Sequence, residues 1–513
     1  MAQVWNIWKV GYKPFQDVGS DTFVLATPAG NLLWTCDPKV VSELERQHPS
    51  SQLAVDLLKF FEVYGPTVGS VEGEEWRKHR KIITSGLNSA TNIVVWKNTI
   101  LQTSSLINHW LGLGGKIPVM KHWTSRLALH VISDVFFRRQ LSWRDSSNDS
   151  EPPPPGHQMS FEKALFTVLA RLGTLYVTPR ALLGKIPLKN IREAHIAFIE
   201  WTQYMEELRA ETIERLDEIS KIKHPSILES IVLAGTPDQS ETGYSPLPTE
   251  SILGNIFFTL LSGHETTGNT MAFALNILAV YPEYQENIQR ELDQLLSQRP
   301  WQEWTLEQEY QSLQQGWLNA VLKEAMRLYG VVQYVPRNIV APIDVVDSKG
   351  ISHNIPEKTL CLMNFSAAFQ NPTTWDRRAV PEHRRTSLHD SPALDFDPTR
   401  WLDKKEGTAR SQQRENSIAP AFFPFGQGPH SCPGRAFAHV EMVAVLATIL
   451  KDYCLELVID EQTKQNHCDD EQAARDETRD RAFRNLVDDI ETNISVQLLK
   501  DLPIKLVKRD SHT

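Results

Sequence analysis

The segment 425–434, F-G-Q-G-P-H-S-C-P-G, limits what this chain can fold into more than any other stretch. It is a tight Gly- and Pro-rich turn with one cysteine, Cys432, and an amphipathic run over 435–450 follows it directly. Glycines let the backbone approach a flat, bulky group closely. The free N–H groups at a helix start lower the pKa of a nearby thiol. The pattern predicts a thiolate held by a single loop, an arrangement that suits axial ligation of a haem iron.

Five positions of this loop resemble the cysteine-ligand loop of the cytochrome P450 family, the haem-thiolate monooxygenases: Phe425, Gly428, His430, Cys432 and Gly434. Four carry the residue that is usual in the family, and His430 stands where Arg is usual. The resemblance implies that Cys432 is the axial ligand of heme b (iron protoporphyrin IX) and that the other four contact it. The alternative interpretation is an ordinary Gly/Pro turn before a helix that carries a buried free cysteine.

A long apolar run over 250–280 predicts a central buried helix, and the polar cluster S-G-H-E-T-T over 262–267 interrupts it. Polar groups inside such a helix are costly unless they have partners or a function. Gly263 and the threonine hydroxyls favour a local bend with room for water or oxygen. The cluster resembles the oxygen-activation signature of the family, which implies catalytic roles for Glu265 and Thr266. A helix kink with satisfied polar groups is the alternative.

Three charged residues further along resemble the structural triad of the family. Glu324 and Arg327 are three residues apart on the amphipathic stretch 317–329, and Arg400 lies in a segment rich in Asp, Pro and Arg. A Glu-x-x-Arg spacing alone is common on exposed helices and contributes only about 0.3–0.5 kcal/mol. In this order before Cys432, the three are expected to hold the cysteine loop in place and to take no part in catalysis.

Two further sets of residues are expected to contact the haem propionates by resemblance. Trp76 and Arg80 are four residues apart on one helix face, and Arg337 begins a strand-like segment. A guanidinium fork suits a carboxylate because it binds both oxygens. The alternative for the first pair is a solvated basic helix with one buried aromatic side chain.

The resemblance implies a mainly α fold, with a large helical core, a small N-terminal β-sheet region and the haem between the long central helix and the Cys loop. Residues 1–513 are expected to form one catalytic domain. Residues 1–10 are expected to be an N-terminal remnant, and 140–158, 235–249 and 460–485 to be mobile loops. A hairpin is predicted from the two apolar runs 22–26 and 31–35, and Asp37 is predicted to cap a helix.

Composition excludes several classes of protein. The net charge of −10 over 513 residues gives no indication of general nucleic-acid binding. Five cysteines without a C-x-x-C pattern make a disulfide framework or zinc clip a poor fit, and favour a reducing compartment. The sequence contains no apolar run of about 18 residues, so no membrane-spanning helix is predicted. The resemblance places the chain on the cytosolic face of the endoplasmic reticulum membrane, although no transmembrane anchor is predicted.

The function implied by the resemblance is insertion of one oxygen atom from O2 into a lipophilic small molecule, in fungal secondary metabolism, by a monomer. A separate NADPH-cytochrome P450 reductase would supply the electrons, since the chain has no G-x-G-x-x-G dinucleotide fingerprint. Lys78, Lys81 and Arg435 could help such a partner to dock. One rival hypothesis is a haem-thiolate isomerase or dehydratase that needs no reductant. The other is a helical interaction protein without a cofactor.

Overall fold

The computed structural model describes residues 7–28, 30–46, 49–141, 143, 153–219, 224–236, 245–296, 299–375, 392–402, 421–468, 470–500 and 502–509. Within these residues the chain forms two compact units. The first contains 1–53, 95–128 and 265–513, and the second contains 54–94 and 129–264. The expectation of a single catalytic domain therefore stays a prediction, and each unit is described by itself.

Helices dominate the described residues. In chain order α1–α12 are Ile7–Val10, Lys13–Val18, Pro38–Arg46, Gly73–Ser85, Ser89–Gly112, Met120–Phe137, Phe161–Ala170, Leu172–Val177, Arg180–Leu183, Lys189–Glu214, Leu216–Ile219 and Ile227–Leu233. Then α13–α21 are Thr249–Val280, Pro282–Leu296, Gln311–Leu313, Trp317–Leu328, Phe365–Gln370, Pro372–Trp375, Arg435–Asp452, Glu461–Asn466 and Glu471–Asp488. No helix in the described part combines the length and the hydropathy needed to cross a membrane.

All the strands lie in the first unit. In chain order β1–β12 are Thr22–Thr27, Gly30–Thr35, Ser51–Leu53, Lys116–Ile117, Tyr334–Ile339, Ile343–Val346, Ser352–Ile355, Leu360–Asn364, Tyr453–Leu457, Ile490–Thr492, Val496–Leu498 and Ile504–Lys508. The largest sheet has the order β1-β2-β8-β5-β3, with β2 and β8 parallel and the other pairs antiparallel. The predicted hairpin is confirmed by β1 and β2, whose register pairs Phe23 with Trp34.

The largest sheet packs beneath short helices around an apolar cluster that includes Phe15, Trp34, Phe365 and Phe369. The predicted cap at Asp37 is confirmed, since its carboxylate accepts the N–H groups of Lys39 at 2.9 Å and Val40 at 3.1 Å. Those bonds satisfy donors that the first turn of α3 leaves free. The β5 strand lies between β8 and β3, so a side chain at its centre is enclosed by strands on both sides.

The prediction of a mobile loop over 460–485 is wrong, because α20 and α21 occupy this stretch. Asp460 and Asp470 cap them by accepting the N–H groups of Thr463 and Ala473. Charged pairs one turn apart stabilise the exposed faces, and α21 buries a stripe that includes Leu486. The density of charge reflects solvated helix faces, not an unfolded segment.

The other predicted loops lie partly outside the described residues, namely 142, 144–152 and 237–244. The described end of the first loop is fixed in the second unit, since His157 bonds Glu200 and Glu207, each at 3.1 Å, and stacks on Tyr204. At the N-terminus, residues 1–6 lie outside the description. Ile7 is buried in α1, and the indole N–H of Trp8 donates to the Leu328 carbonyl at 2.9 Å. The described residues of 1–10 are thus part of the first unit, and their interpretation as an N-terminal remnant stays a prediction.

Glycine at 254 permits a close approach of two backbone segments in the second unit. A Cβ at this position of α13 would lie 2.5 Å from the carbonyl oxygen of Gly65 and 2.6 Å from that of Pro66. Backbone atoms cannot yield as a flexible side chain can. We expect Gly254→Ala to lower the free energy of unfolding by about 3 kcal/mol, as measured by urea denaturation.

Gly112 provides the control, because it is also a helix residue, the last of α5, but has open space where its Cβ would lie. Gly112→Ala should change the unfolding free energy by less than about 0.5 kcal/mol. Equal effects of the two substitutions would contradict the packing argument.

Candidate functional site

The Cys432 loop is a closed turn at the start of α19. The Cys432 N–H donates to the Phe425 carbonyl at 2.8 Å, and the Ser431 N–H donates to that of Gly428 at 3.2 Å. Gly426 and Gly428 have φ values of 68° and 65°, a region that side chains disfavour. The local geometry therefore requires glycines at these two positions. It leaves the Cys432 side chain exposed two residues before Gly434, the cap residue of α19.

No disulfide joins the five cysteines, all of which lie within the described residues, and they differ in their surroundings. Burial raises the pKa of Cys361 to about 12. Burial, reinforced by Asp21 and Asp37, raises the pKa of Cys36 well above its ordinary value. Thiols with such values are not deprotonated at neutral pH. Cys432 is exposed at a helix start, so it has the setting that a thiolate ligand requires.

The three residues of the predicted triad are in contact and are fully enclosed in the first unit. The guanidinium of Arg327 donates to the two Glu324 oxygens at 2.9 and 2.7 Å, and Arg400 Nε lies 3.2 Å from Oε1. The indole N–H of Trp401 at 2.9 Å and the backbone N–H of Asp397 at 3.0 Å also donate to this carboxylate. One carboxylate therefore binds α16 to the segment 397–401.

The other donors of Arg327 and the NH1 group of Arg400 also have partners. Arg327 donates to the carbonyls of Phe369, Ala393 and Asp395 at 2.8, 2.7 and 3.1 Å, and Arg400 donates to that of Trp375. Burial is the largest single influence and would raise the pKa of Glu324, but Arg327, Arg400 and the Asp397 N–H together outweigh it, so this pKa lies below its ordinary value. Complete pairing of this kind makes a buried charge cluster stable.

The helix that carries the triad begins beside a second buried carboxylate. The Glu291 carboxylate on α14 accepts the N–H of Trp317, the first residue of α16. Gly316 leaves room for this carboxylate, which a Cβ there would overlap. Burial raises the pKa of Glu291 to about 7, although backbone N–H groups of Trp317 and Leu318 act in the opposite direction.

Arg337 is fully buried on β5, opposite Cys361 on β8 and Leu53 on β3. Its NH2 donates to a Glu45 oxygen at 2.6 Å, and its NH1 lies 3.3 Å from the Ser51 carbonyl. The Nε–H of this guanidinium has no partner among the described residues. The predicted contact of Arg337 with a haem propionate stays a prediction, and its observed partner is Glu45.

The acid of the central helix lies in a small hydrogen-bonded group. The amide nitrogen of Asn269 donates to a Glu265 oxygen at 3.2 Å and to Ser495 Oγ at 2.7 Å. The Ser495 hydroxyl lies 3.3 Å from the same Glu265 oxygen. Thr266, the next residue, accepts at its carbonyl from the Thr270 hydroxyl at 2.9 Å. This group fixes the Glu265 carboxylate against the β10–β11 hairpin.

The other candidate residues lie in the second unit. Trp76 is buried on α4, and the Arg80 guanidinium carbon lies 5.9 Å from the centre of its ring. His79, between them in sequence, accepts at Nδ1 from the Asn255 amide at 3.0 Å, and burial lowers its pKa to about 4. Neutral His79 thus ties α4 to α13.

The central helix is continuous through the polar cluster, and the predicted local bend stays a prediction. A Cβ on Gly263 would overlap the Ile132 side chain of α6. The absence of a side chain at this position therefore allows two helices of the second unit to pack closely. Close packing, and not a break in the helix, is what the glycine provides here.

The residues of the first unit fit a haem by the chemistry of their donors. The exposed Cys432 offers a sulfur ligand, and Gly434 adds no bulk, since even a Cβ there would remain 3.9 Å from Sγ. Arg337 offers a buried Nε–H donor without a partner among the described residues, a group that a carboxylate would satisfy. His430 is half-buried in the same loop.

Comparison with known proteins agrees with this donor set. The family model described as "Cytochrome P450" matches residues 36–479. The chain belongs to the cytochrome P450 family. The family and the fold imply a haem cofactor, and its members named in the comparisons are monooxygenases, so the chain is an oxidoreductase.

Curated relatives include cytochrome P450 monooxygenases from two fungi. That of Arthrobotrys oligospora is 27% identical and aligns with 98% of this chain and 86% of its own length. That of Postia placenta is 25% identical over 88% of this chain and 81% of its own length. Among solved structures, a cytochrome P450 (CYP102L1) has a TM-score of 0.70 at 19% identity and covers 97% of both chains. The predicted mainly α P450 fold is confirmed.

Four residues of this P450 that join the candidate site were not identified from the sequence. Asn269 follows Glu265 by one helical turn, a spacing that could have indicated their contact. Trp401 lies beside Arg400 in the segment already singled out. Glu45 and Ser495 are more than 200 residues from their partners, and no local pattern indicates such pairing.

Removal of the Glu324 charge should strongly destabilise the P450. Glu324→Gln leaves two buried guanidinium groups without their counter-ion, so we expect a loss of about 3–5 kcal/mol in unfolding free energy by urea denaturation. Glu283→Gln is the control, because Glu283 pairs with Arg479 at 3.1 Å on the surface. The control should cost at most about 1 kcal/mol. A loss below 1 kcal/mol for Glu324→Gln would contradict the analysis.

Glu291 should make stability depend on pH. Its pKa is about 7 in the folded chain against 4.5 ordinarily, so the folded chain binds the proton more tightly. The stability from this group is fully present below pH 4.5 and is lost as pH rises through 7, by up to about 3 kcal/mol. In Glu291→Gln, the unfolding free energy should fall less over this range. Glu286→Gln, exposed on the same helix, should retain the parent slope.

Proposed function

We propose that this chain is a haem-thiolate monooxygenase in which Cys432 is the axial ligand of heme b. The observation that carries the proposal is the Cys432 loop, whose two positive-φ glycines and backbone hydrogen bonds present an exposed thiol at a helix start. Haem bound through a thiolate supplies the reduction and cleavage of O2. The reaction places one oxygen atom in the substrate, by hydroxylation or epoxidation.

Arg337 and His430 of the first unit would hold a haem carboxylate. The contacts of Trp76 and Arg80 with a haem propionate stay predictions from the sequence. Phe425, Gly428 and Gly434 would form the wall of the loop around the sulfur. The Glu324 cluster acts indirectly: it fixes the segment 397–401 to α16 and so supports the fold in which the cysteine loop is held.

Glu265 and Thr266 would deliver protons. Glu265 is half-buried and is held by Asn269 and Ser495, so its carboxylate is oriented within a polar group on an otherwise apolar helix. An acid beside an alcohol can pass protons from solvent and hold water by hydrogen bonds. The presence of this pair favours the monooxygenase over the isomerase or dehydratase.

The electrons would come from a separate NADPH-cytochrome P450 reductase, because the sequence contains no G-x-G-x-x-G fingerprint for a dinucleotide. Arg435 is exposed at the start of α19, where an acidic partner could dock. The substrate class is a lipophilic small molecule of fungal secondary metabolism. A relative from Leptosphaeria maculans, 23% identical over 82% of this chain, is named for a phomenoic acid biosynthesis cluster, which supports this assignment.

The test is the absorption spectrum of the dithionite-reduced protein with carbon monoxide. The parent should show a Soret band far to the red, and Cys432→Ser should lose it because a hydroxyl cannot replace the thiolate. Cys468→Ser is the matched control, since Cys468 is also exposed but follows α19 in the sequence, whereas Cys432 precedes it. A Cys432→Ser spectrum identical to that of the parent would overturn the proposal.

A further inference from the structure

Arg337 and Glu45 form a buried ion pair in the first unit. The Arg337 side chain is fully enclosed, and Glu45, near the end of α3, is 3% exposed. Their closest approach, between NH2 and Oε2, is 2.6 Å. A buried charge without a counter-ion costs several kcal/mol, so Arg337 needs Glu45 whether or not a ligand is present.

The pairing uses only part of the guanidinium. NH2 is bound to Glu45 and NH1 faces the Ser51 carbonyl, whereas Nε–H has no partner among the described residues. A guanidinium offers five donors in a rigid plane, so a single arginine can serve two carboxylates at once. The Nε–H of Arg337 is thus available to a second anion. Arg337 would then bind this anion and the Glu45 carboxylate at the same time.

Glu45 also contacts the cysteine loop. Its carbonyl oxygen would lie 2.7 Å from a Cβ on Gly428, a position that the loop needs as glycine. The backbone of Glu45 therefore packs against the loop that carries Cys432, while its side chain binds Arg337. One residue joins two parts of the chain that the proposed function assigns to the haem.

We propose that Glu45 is a positioning residue that orients Arg337 toward a haem carboxylate. The Glu45 carboxylate also offsets the positive charge of the Arg337 guanidinium. The proposal rests on the proposed function. A negative charge near the haem opposes the addition of an electron to the iron. Glu45 should therefore hold the one-electron reduction potential of the ferric haem below the value that an unpaired Arg337 would give.

The first experiment is a redox titration of purified holoprotein with Glu45→Gln, an isosteric change that removes the charge. At a fixed applied potential near the midpoint, the ratio of reduced to oxidised haem should rise about tenfold, a positive shift of about 59 mV for one electron. Glu45→Asp restores the charge and should return the potential toward that of the parent. Glu43→Gln, on the same helix but paired with the exposed Arg46, should leave it unchanged.

The second experiment keeps the ion pair and removes the spare donor. Lysine can still pair with Glu45 but has no Nε–H in the guanidinium plane. Arg337→Lys should therefore release haem to apomyoglobin about tenfold faster than the parent, at an unchanged thermal unfolding midpoint of the apoprotein. This variant also decides the question if Glu45→Gln does not fold.

The outcomes separate the two proposals. A parent without a red-shifted carbon monoxide spectrum would overturn the proposed function itself. A parent with that spectrum, together with a Glu45→Gln protein of unchanged potential, would overturn the role of Glu45. An Arg337→Lys protein of unchanged haem release would overturn the contact of Arg337 with a haem carboxylate, on which the role of Glu45 depends, and would leave the thiolate ligation by Cys432 standing.

Discussion

The fold of the first unit depends on one buried carboxylate. Glu324 receives hydrogen bonds from two guanidinium groups, one indole and one backbone amide, and these donors come from α16 and from a segment over 70 residues later. The carbonyls of Phe369, Ala393 and Asp395 accept the other hydrogens of Arg327. A carboxylate so fully satisfied is stable when buried, whereas any incomplete version would leave a charge without compensation.

Arg337 is likewise a buried charge that pairs with an opposite charge, but one of its donors has no partner among the described residues. Every donor of Arg327 has a partner at the Glu324 cluster, whereas Glu45 leaves the Nε–H of Arg337 available. The difference distinguishes a cluster that only supports the fold from one that could also bind an anion. The backbone of Glu45 packs against Gly428 of the cysteine loop, and the segment of Arg400 precedes this loop in the sequence.

Local chemistry explains most of what could be predicted. The hairpin of β1 and β2, the Asp37 cap and the helix over Trp317–Leu328 follow from patterns spanning fewer than 15 residues. The error over 460–485 has the same origin, because charged residues paired one turn apart resemble an unfolded segment in composition. The partners of Glu265 show how far local patterns can predict contacts. The contact with Asn269 follows from a spacing of one helical turn, but Ser495 is 230 residues away and no local pattern indicates it.

The sequence by itself determined the family, the cysteine loop and the three members of the triad, because each depends on residue types at short or ordered spacing. Tertiary structure alone decided that Arg337 pairs with Glu45 and that Ser495 lies against Glu265. Glu45 and Arg337 are 292 residues apart, and their pairing follows from the position of β5 between β8 and β3, with α3 at the same sheet. Burial also decided which of the five thiols are shielded from solvent, since desolvation depends on the packed surroundings and not on the neighbours in the chain.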